Sequence, residues 1–265
     1  MRKFEVVTLG LAVAVAIYGF TTYQHPAPKT ESDKSELVIL PVGNAPDFAA
    51  IDNTKEKKQA FFDFLRPGIA IENSRINKER KRLLAIQQHF EANYVSSEDM
   101  AYAQRLGKLY SNPIPATGID ERWLTSMLKS VNVLPESLVL TQAANESAWG
   151  TSRFAREANN YFGQWCYTKG CGLVPLKRSE GMTHEVAKFS SVQESIHRYF
   201  MNVNRNRAYR ELRDIRSIRD MEQLAMTSPE AAVALSEGLL RYSERGEAYV
   251  KDLQTMIRHN QTYWQ

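Results

Sequence analysis

The chain is predicted to fold as a mainly helical α+β protein with an N-terminal helical extension, and three observations predict it. Apolar residues recur at helical spacing over most of the chain beyond residue 55. One stretch, 151–189, loses that period and fills with glycines and aromatics. Within it "HEVAKF" alternates as a strand does.

The elements follow in order. Met1-Arg2-Lys3 precedes an apolar run from Val6 to Phe20. A positive start followed by such a run reads as an export signal, and with Thr21, Thr22 and Tyr23 it nears the ~20 residues of a membrane span. "GFTTYQHP" is too bulky for a cleavage site, so residues 1–23 are expected to be an uncleaved inner-membrane anchor in preference to a cleaved signal. Residues 24–54, with Pro26, Pro28, Pro41 and Pro46 among polar side chains, read as a linker. Residues 55–112 form the helical extension, in which Ser96 to Asp99 mark a helix start and the basic run Lys78–Arg82 a solvated face. Residues 113–265 form the remaining domain. It opens with two helices split at Val133–Pro135 and continues through the irregular stretch and a small hairpin. Ser191 and Glu194 make a capping box for an amphipathic helix bearing Val192, Ile196, Tyr199, Phe200 and Val203. Two helices around a turn at Gly246 close the chain, and "RNRAYRELRDIRSIR" reads as a solvated helix.

Bulk properties bound the partners only loosely. A formal charge of +4 is mainly a statement about solubility, and no nucleic-acid partner is expected. Cys166 and Cys171, the two cysteines, lie in a chain expected to be exported, so a disulfide is the first reading. Closing so short a loop stabilises by about 2 kcal/mol; its use would be to fix local shape. Zinc would need two further ligands that the spacing does not supply. His184-Glu185 does not begin H-E-x-x-H, because Lys188 stands in the final place. The chain shows no glycine-rich phosphate loop, and no metal or cofactor is expected.

The chemistry centres on "TQAANESAWG", residues 141–150, which sets Glu146 among alanines and Trp149. On a helical wheel Glu146 shares a face with Val139, Gln142, Ala143 and Trp149. Poor solvation there raises a carboxyl pKa above its model value of about 4.3. A protonated glutamic acid is what a glycosidase uses to protonate a leaving sugar oxygen. The alternative is an ordinary ion pair with Arg153 or Arg156.

"ANESAWGTSRFAREANNYFG" resembles the signature of the bacterial N-acetylglucosaminidase family of peptidoglycan hydrolases, glycoside hydrolase family 73, whose members read A-x-E-S-x-W-G-x-S and then N-N-x-F-G. "KFSSVQESIHRYF" and "RYSERGEAYVKDLQTMI" resemble two later motifs of that family, and the cysteine insert is closest to its Bax-like envelope branch. The resemblance covers roughly residues 115–262. It implies a lysozyme-like fold, with a helical lobe, a small β-lobe and a glycan cleft between them. It makes Glu146 the general acid, with Trp149, Asn160, Phe162 and Gly163 in motif positions shaping the substrate site. Tyr242 and Tyr249 fall on the two tyrosines of the last motif, one of which lines the site near the acid; Tyr242 is preferred. The family's second carboxylate lies on the β-lobe, where "KRSEGMTHEVAKF" departs from the pattern and leaves Glu180 and Glu185 as rivals. Glu185 is preferred because a strand fixes a carboxylate better than a loop tip does.

The implied function is cleavage of the β-1,4 bond after N-acetylglucosamine in peptidoglycan glycan strands, on the periplasmic side of the inner membrane. Cleavage on the muramic acid side by a muramidase or lytic transglycosylase is one rival, and a non-catalytic glycan-binding scaffold is another. Oligomeric state is not legible in the sequence.

Overall fold

A computed structural model describes residues 41–176, 181 and 183–264. The apolar run at residues 1–23, the first part of the linker and Glu180 lie outside the described residues. No helix among the described residues is long and apolar enough to cross a membrane.

The described chain forms a mainly helical α+β fold of the lysozyme-like kind, with nine α-helices and one three-stranded sheet among the described residues. Helix α1, Thr54–Glu91, is capped by Asn53, whose side-chain oxygen accepts from the amides of Lys55 and Glu56. It runs through Pro67, a residue that removes one helical hydrogen bond. Tertiary packing carries the helix across that point: Phe61, Phe62, Leu65, Ile69, Ile76, Leu83 and Ile86 are all buried. Burying each such side chain is worth about 1.5–3 kcal/mol. Arg66 adds hydrogen bonds to Glu136 and to the Tyr263 carbonyl. The extension expected over 55–112 and the domain expected over 113–265 therefore share one core among the described residues.

Helix α2, Ser97–Leu109, starts on a capping box of Ser96 and Asp99. Asp99 is buried, and His89 and Arg82 of α1 also hold its carboxylate. The Lys78–Arg82 run is thus not a plain solvated face. Arg80 donates to the carbonyls of Leu128 and Val131 and pairs with Asp220.

Helices α3, Glu121–Ser130, and α4, Glu136–Ser147, flank the break at Val133–Pro135, with Pro135 as the α4 cap. Leu138, Val139, Leu140, Thr141, Gln142, Ala143 and Ala144 of α4 are all buried, the pattern of a helix enclosed on every side. Helix α5 spans Arg153–Ala158. Strands β1 (Trp165–Cys166), β2 (Gly172–Leu173) and β3 (Glu185–Ala187) form an antiparallel sheet in the order β1-β3-β2. Trp165 and Leu173 both stand opposite Val186. This is the small β-lobe, and the Cys166–Cys171 disulfide closes its first turn.

Helix α6, Val192–Arg205, is capped by Ser191 and crosses α1, where Glu72 accepts from His197 and Arg75. Helices α7 (Arg210–Met221), α8 (Pro229–Ser236) and α9 (Glu247–His259) complete the helical lobe. The arginine run on α7 is not simply solvated. Arg216, 1% exposed, donates to the carbonyls of Lys129, Ser130, Asn132 and Val133. Burial pushes its guanidinium down to about 9. Those carbonyls, at the negative end of α3, supply the partner that no carboxylate provides.

Candidate active site

Glu146 sits in the last turn of α4. The helix ends because Ala148 and Trp149 adopt left-handed backbone, with φ of 49° and 58°, and Gly150 follows at 77°. Non-glycine residues reach that region at a cost of roughly 1–2 kcal/mol each. Ser147 stabilises the turn, donating to the Ala143 carbonyl and accepting from the Gly150 amide. A side chain at Gly150 would collide with the Phe48 ring, its Cβ falling 2.4 Å from the nearest ring carbon.

This ending corrects one expectation. Trp149 lies beyond the helix, so it does not share a helical face with Glu146. Its ring meets Phe61 and Phe62 edge-on at 5.6 and 5.4 Å, with Lys58 over it. The indole seals α1 to the core.

Burial raises the Glu146 pKa, against hydrogen bonds from Tyr249 and Asn145 and the field of Arg245, which lower it. Its place at the negative end of α4 works in the same direction as burial. Neither Arg153 nor Arg156 is among the groups that shift it. Arg153 instead pairs with Glu157 and donates to the Val174 carbonyl. The ion-pair alternative therefore fails, and the carboxyl is kept inclined to hold its proton.

The tyrosine that touches the acid is Tyr249. Its hydroxyl accepts from Gln142 Nε2 at 3.0 Å and favours the ionised form of the neighbouring Glu146, while Gln142 Oε1 accepts from Tyr199. Tyr199, Gln142 and Tyr249 are fully buried, and the donors of Tyr199 and Gln142 are each committed to the next group towards the carboxylate. Tyr242, the preferred candidate from sequence, instead donates to the Phe162 carbonyl at 2.7 Å and stacks on Tyr249. Its hydroxyl is thereby spent on the loop and its ring packs against Tyr249.

That loop is the N-N-x-F-G segment. Asn160 is buried and uses its whole amide: Nδ2 donates to the carbonyls of Gln164 and Ala187, and Oδ1 accepts from the amides of Phe162 and Gln164. Phe162 is buried and stacks on Tyr199 at 4.2 Å. Both residues brace the loop from within. What they position is Gly163, at φ 63°, where an added Cβ would stand 3.1 Å from Glu146 Oε2. A bare Cα is therefore what leaves room for the carboxyl.

On the β-lobe, Glu185 is buried, and both its oxygens accept backbone amides, from Gly170 at 3.0 Å and Gly172 at 2.8 Å. Its carboxylate is turned onto the disulfide loop, and no carboxylate is among the groups that shift Glu146. Cys166, Cys171 and Glu185 lie close enough to hold a metal. The two sulfurs, however, are bonded to each other and offer no thiolate.

Two participants were missed by sequence reasoning as parts of the site. Gln142 was visible as the residue four before Glu146, and the amide, unexplained in an apolar helix, was the available signal. Tyr199 was visible only as one apolar position of α6, and its hydroxyl was the signal. A basic cavity of about 570 Å³ also opens between α3 and α7, lined by Arg122, Lys129, Arg210, Arg213 and Asp214 among others. None of those residues belongs to the Glu146 site.

Comparison with known proteins bears on this arrangement. Residues 122–262 match the family model Glucosaminidase, described as mannosyl-glycoprotein endo-beta-N-acetylglucosaminidase. Over 217 residues the chain is 32% identical to "Protein bax" of Escherichia coli (strain K12), covering 82% of this chain and 74% of that protein. No solved structure gives a significant match.

Proposed function

Since the chain belongs to the glucosaminidase family, a family of glycoside hydrolases, we propose that it hydrolyses peptidoglycan glycan at the β-1,4 bond following N-acetylglucosamine. Glu146 is the general acid. One observation carries the reading: a half-buried carboxyl whose pKa burial raises stands at the bare Cα of Gly163, with Tyr249 and Asn145 beside it. An acid held protonated near neutral pH is what departure of a sugar oxygen requires.

In this mechanism the Glu146 proton passes to the bridging oxygen as its bond to the anomeric carbon breaks. The resulting carboxylate is stabilised by the Tyr249 hydroxyl. Because Glu185 is engaged by the amides of Gly170 and Gly172, we assign it to anchoring the β-lobe. Capture of the anomeric carbon then falls to the substrate's own acetamido oxygen, a route that needs one protein acid. Water finally opens that intermediate, returning a proton to Glu146. The positive start and apolar run of residues 1–23 support a site of action on the periplasmic side of the inner membrane, and protease accessibility in spheroplasts tests it.

The test is digestion of purified cell wall by the wild-type protein beside Glu146→Gln. The reading predicts lysis that leaves N-acetylglucosamine at the new reducing ends and is abolished by the substitution. Muramic acid or its anhydro form at those ends would replace it with the muramidase or transglycosylase reading. Wall binding without lysis by either protein would leave a scaffold.

A further inference from the structure

Trp165 is 50% exposed and Tyr167 is 75% exposed, although tryptophan is a residue that folding normally covers for the most part. The exposure of Trp165 is not looseness. Its backbone is paired with Val186 in the sheet, and the next residue is tied by the disulfide. The preceding residue, Gln164, is held by Asn160 and by its own bond to the Ser195 carbonyl. Its ring lies parallel to the imidazole of His184, with centroids 4.0 Å apart and planes 5° apart. His184 is itself buried, so it backs one face of the indole and leaves the exposed area to the other. The result is a flat apolar plate already fixed in place, a surface that loses little side-chain freedom when something lies on it.

Its position identifies the ligand. Trp165 follows Gly163 by two residues, so their Cα atoms are no more than about 7 Å apart, and Gly163 faces the Glu146 carboxyl. Burial raises the pKa of Tyr209, the charges of Glu146 and Tyr167 add to the rise, and its ring lies 5.7 Å from that of Tyr242. Trp165 thus follows closely on the glycine that faces the acid, and Tyr167 lies near enough to Tyr209 to act on it, as Glu146 does. A pyranose with equatorial substituents presents a face of axial C–H groups, apolar and of indole size, which suits such a plate. We propose that Trp165, backed by His184, is the stacking platform for the N-acetylhexosamine unit adjoining the scissile bond. This rests on the reading of the Glu146 site as a glycan site.

The experiment titrates a β-1,4-linked N-acetylglucosamine hexamer into Glu146→Gln protein, which binds without turnover, and follows tryptophan fluorescence. Trp165 is expected to shift to the blue and to lose accessibility to acrylamide. In the same background Trp165→Ala should weaken binding by about tenfold or more, and Trp165→Phe should restore most of it. The phenylalanine also keeps a ring over His184 and guards against misfolding. Wild-type wall digestion by Trp165→Ala should show a raised KM with kcat nearly unchanged. Equal binding with and without the indole overturns the platform, while the hydrolase reading stands or falls separately on lysis. Trp165-dependent binding by a protein that never lyses wall keeps the platform and removes the hydrolase. Absence of hexamer binding altogether overturns the platform.

Discussion

Replacing Tyr249 by phenylalanine removes one oxygen and leaves the stacked ring in place. That oxygen accepts a hydrogen bond from Gln142 and acts on the charge of the neighbouring Glu146. Gln142 is fully buried, so its Nε2 loses its partner where no water replaces it. Such a loss costs about 1–3 kcal/mol, or roughly 2–4 °C in melting temperature for each kcal/mol. The second effect is on the acid. The hydroxyl favours the ionised form of Glu146, so its removal must raise that pKa further. Activity that depends on protonated Glu146 falls as pH rises through its pKa, and the alkaline limb of kcat should therefore move to higher pH in Tyr249→Phe. Tyr242→Phe is the control. It loses only the bond to the Phe162 carbonyl, so it should lose stability to a similar degree with the alkaline limb unmoved. Thermal unfolding and pH–rate profiles of the two variants read both effects. An unmoved limb in Tyr249→Phe, or a moved one in Tyr242→Phe, would refute the assignment of Tyr249 as the contact.

Gly163→Ala should cut activity by at least about tenfold while the protein still folds, because the added methyl stands 3.1 Å from Glu146 Oε2; the strain at positive φ costs a further ~1–2 kcal/mol, seen in thermal melts. Trp149→Ala should destabilise by about 3–5 kcal/mol, by opening the seam between α1 and the core, without weakening glycan binding in Glu146→Gln protein. Asp99 is held well below the usual carboxylate range: burial opposes this, but His89 and Ser96 outweigh it. Its contribution is present above the unfolded pKa of about 3.9 and is lost as pH falls towards the lower folded value. Asp99→Asn should accordingly lower the melting temperature at pH 7 by more than at pH 3. Glu146 has the opposite sign. With its folded pKa raised, ionisation weakens the fold as pH rises above about 4.3, so Glu146→Gln should be more stable than wild type at pH 7 and level with it near pH 3.

Much of the architecture was legible because local signals decide it. The Ser96–Asp99 box and the Val133–Pro135 break each terminate or start a helix where the sequence places them. So does the Ser191 cap. Glu146 was legible through its apolar neighbours. What was not legible depends on contacts remote in sequence. Trp149 shares a helical face with Glu146 only if α4 continues, and two left-handed residues end it first. The choice between Tyr242 and Tyr249 turns on which ring lies beside Glu146 of α4, which the spacing of the two positions, one before α9 and one within it, does not determine. Arg216 reads as a surface cation because its partners are backbone carbonyls 83 to 87 residues away. Glu185 was rightly placed on a strand, but the amides that claim it come from the disulfide loop. Glu180 lies outside the described residues.

The most direct measurement is a carbon-13 NMR titration of the Glu146 carboxyl, assigned by difference against Glu146→Gln. The account predicts a midpoint clearly above that of an exposed glutamate, moving higher still in Tyr249→Phe. A midpoint at or below the ordinary glutamate value would leave residue 146 ionised at working pH and contradict its role as the proton donor.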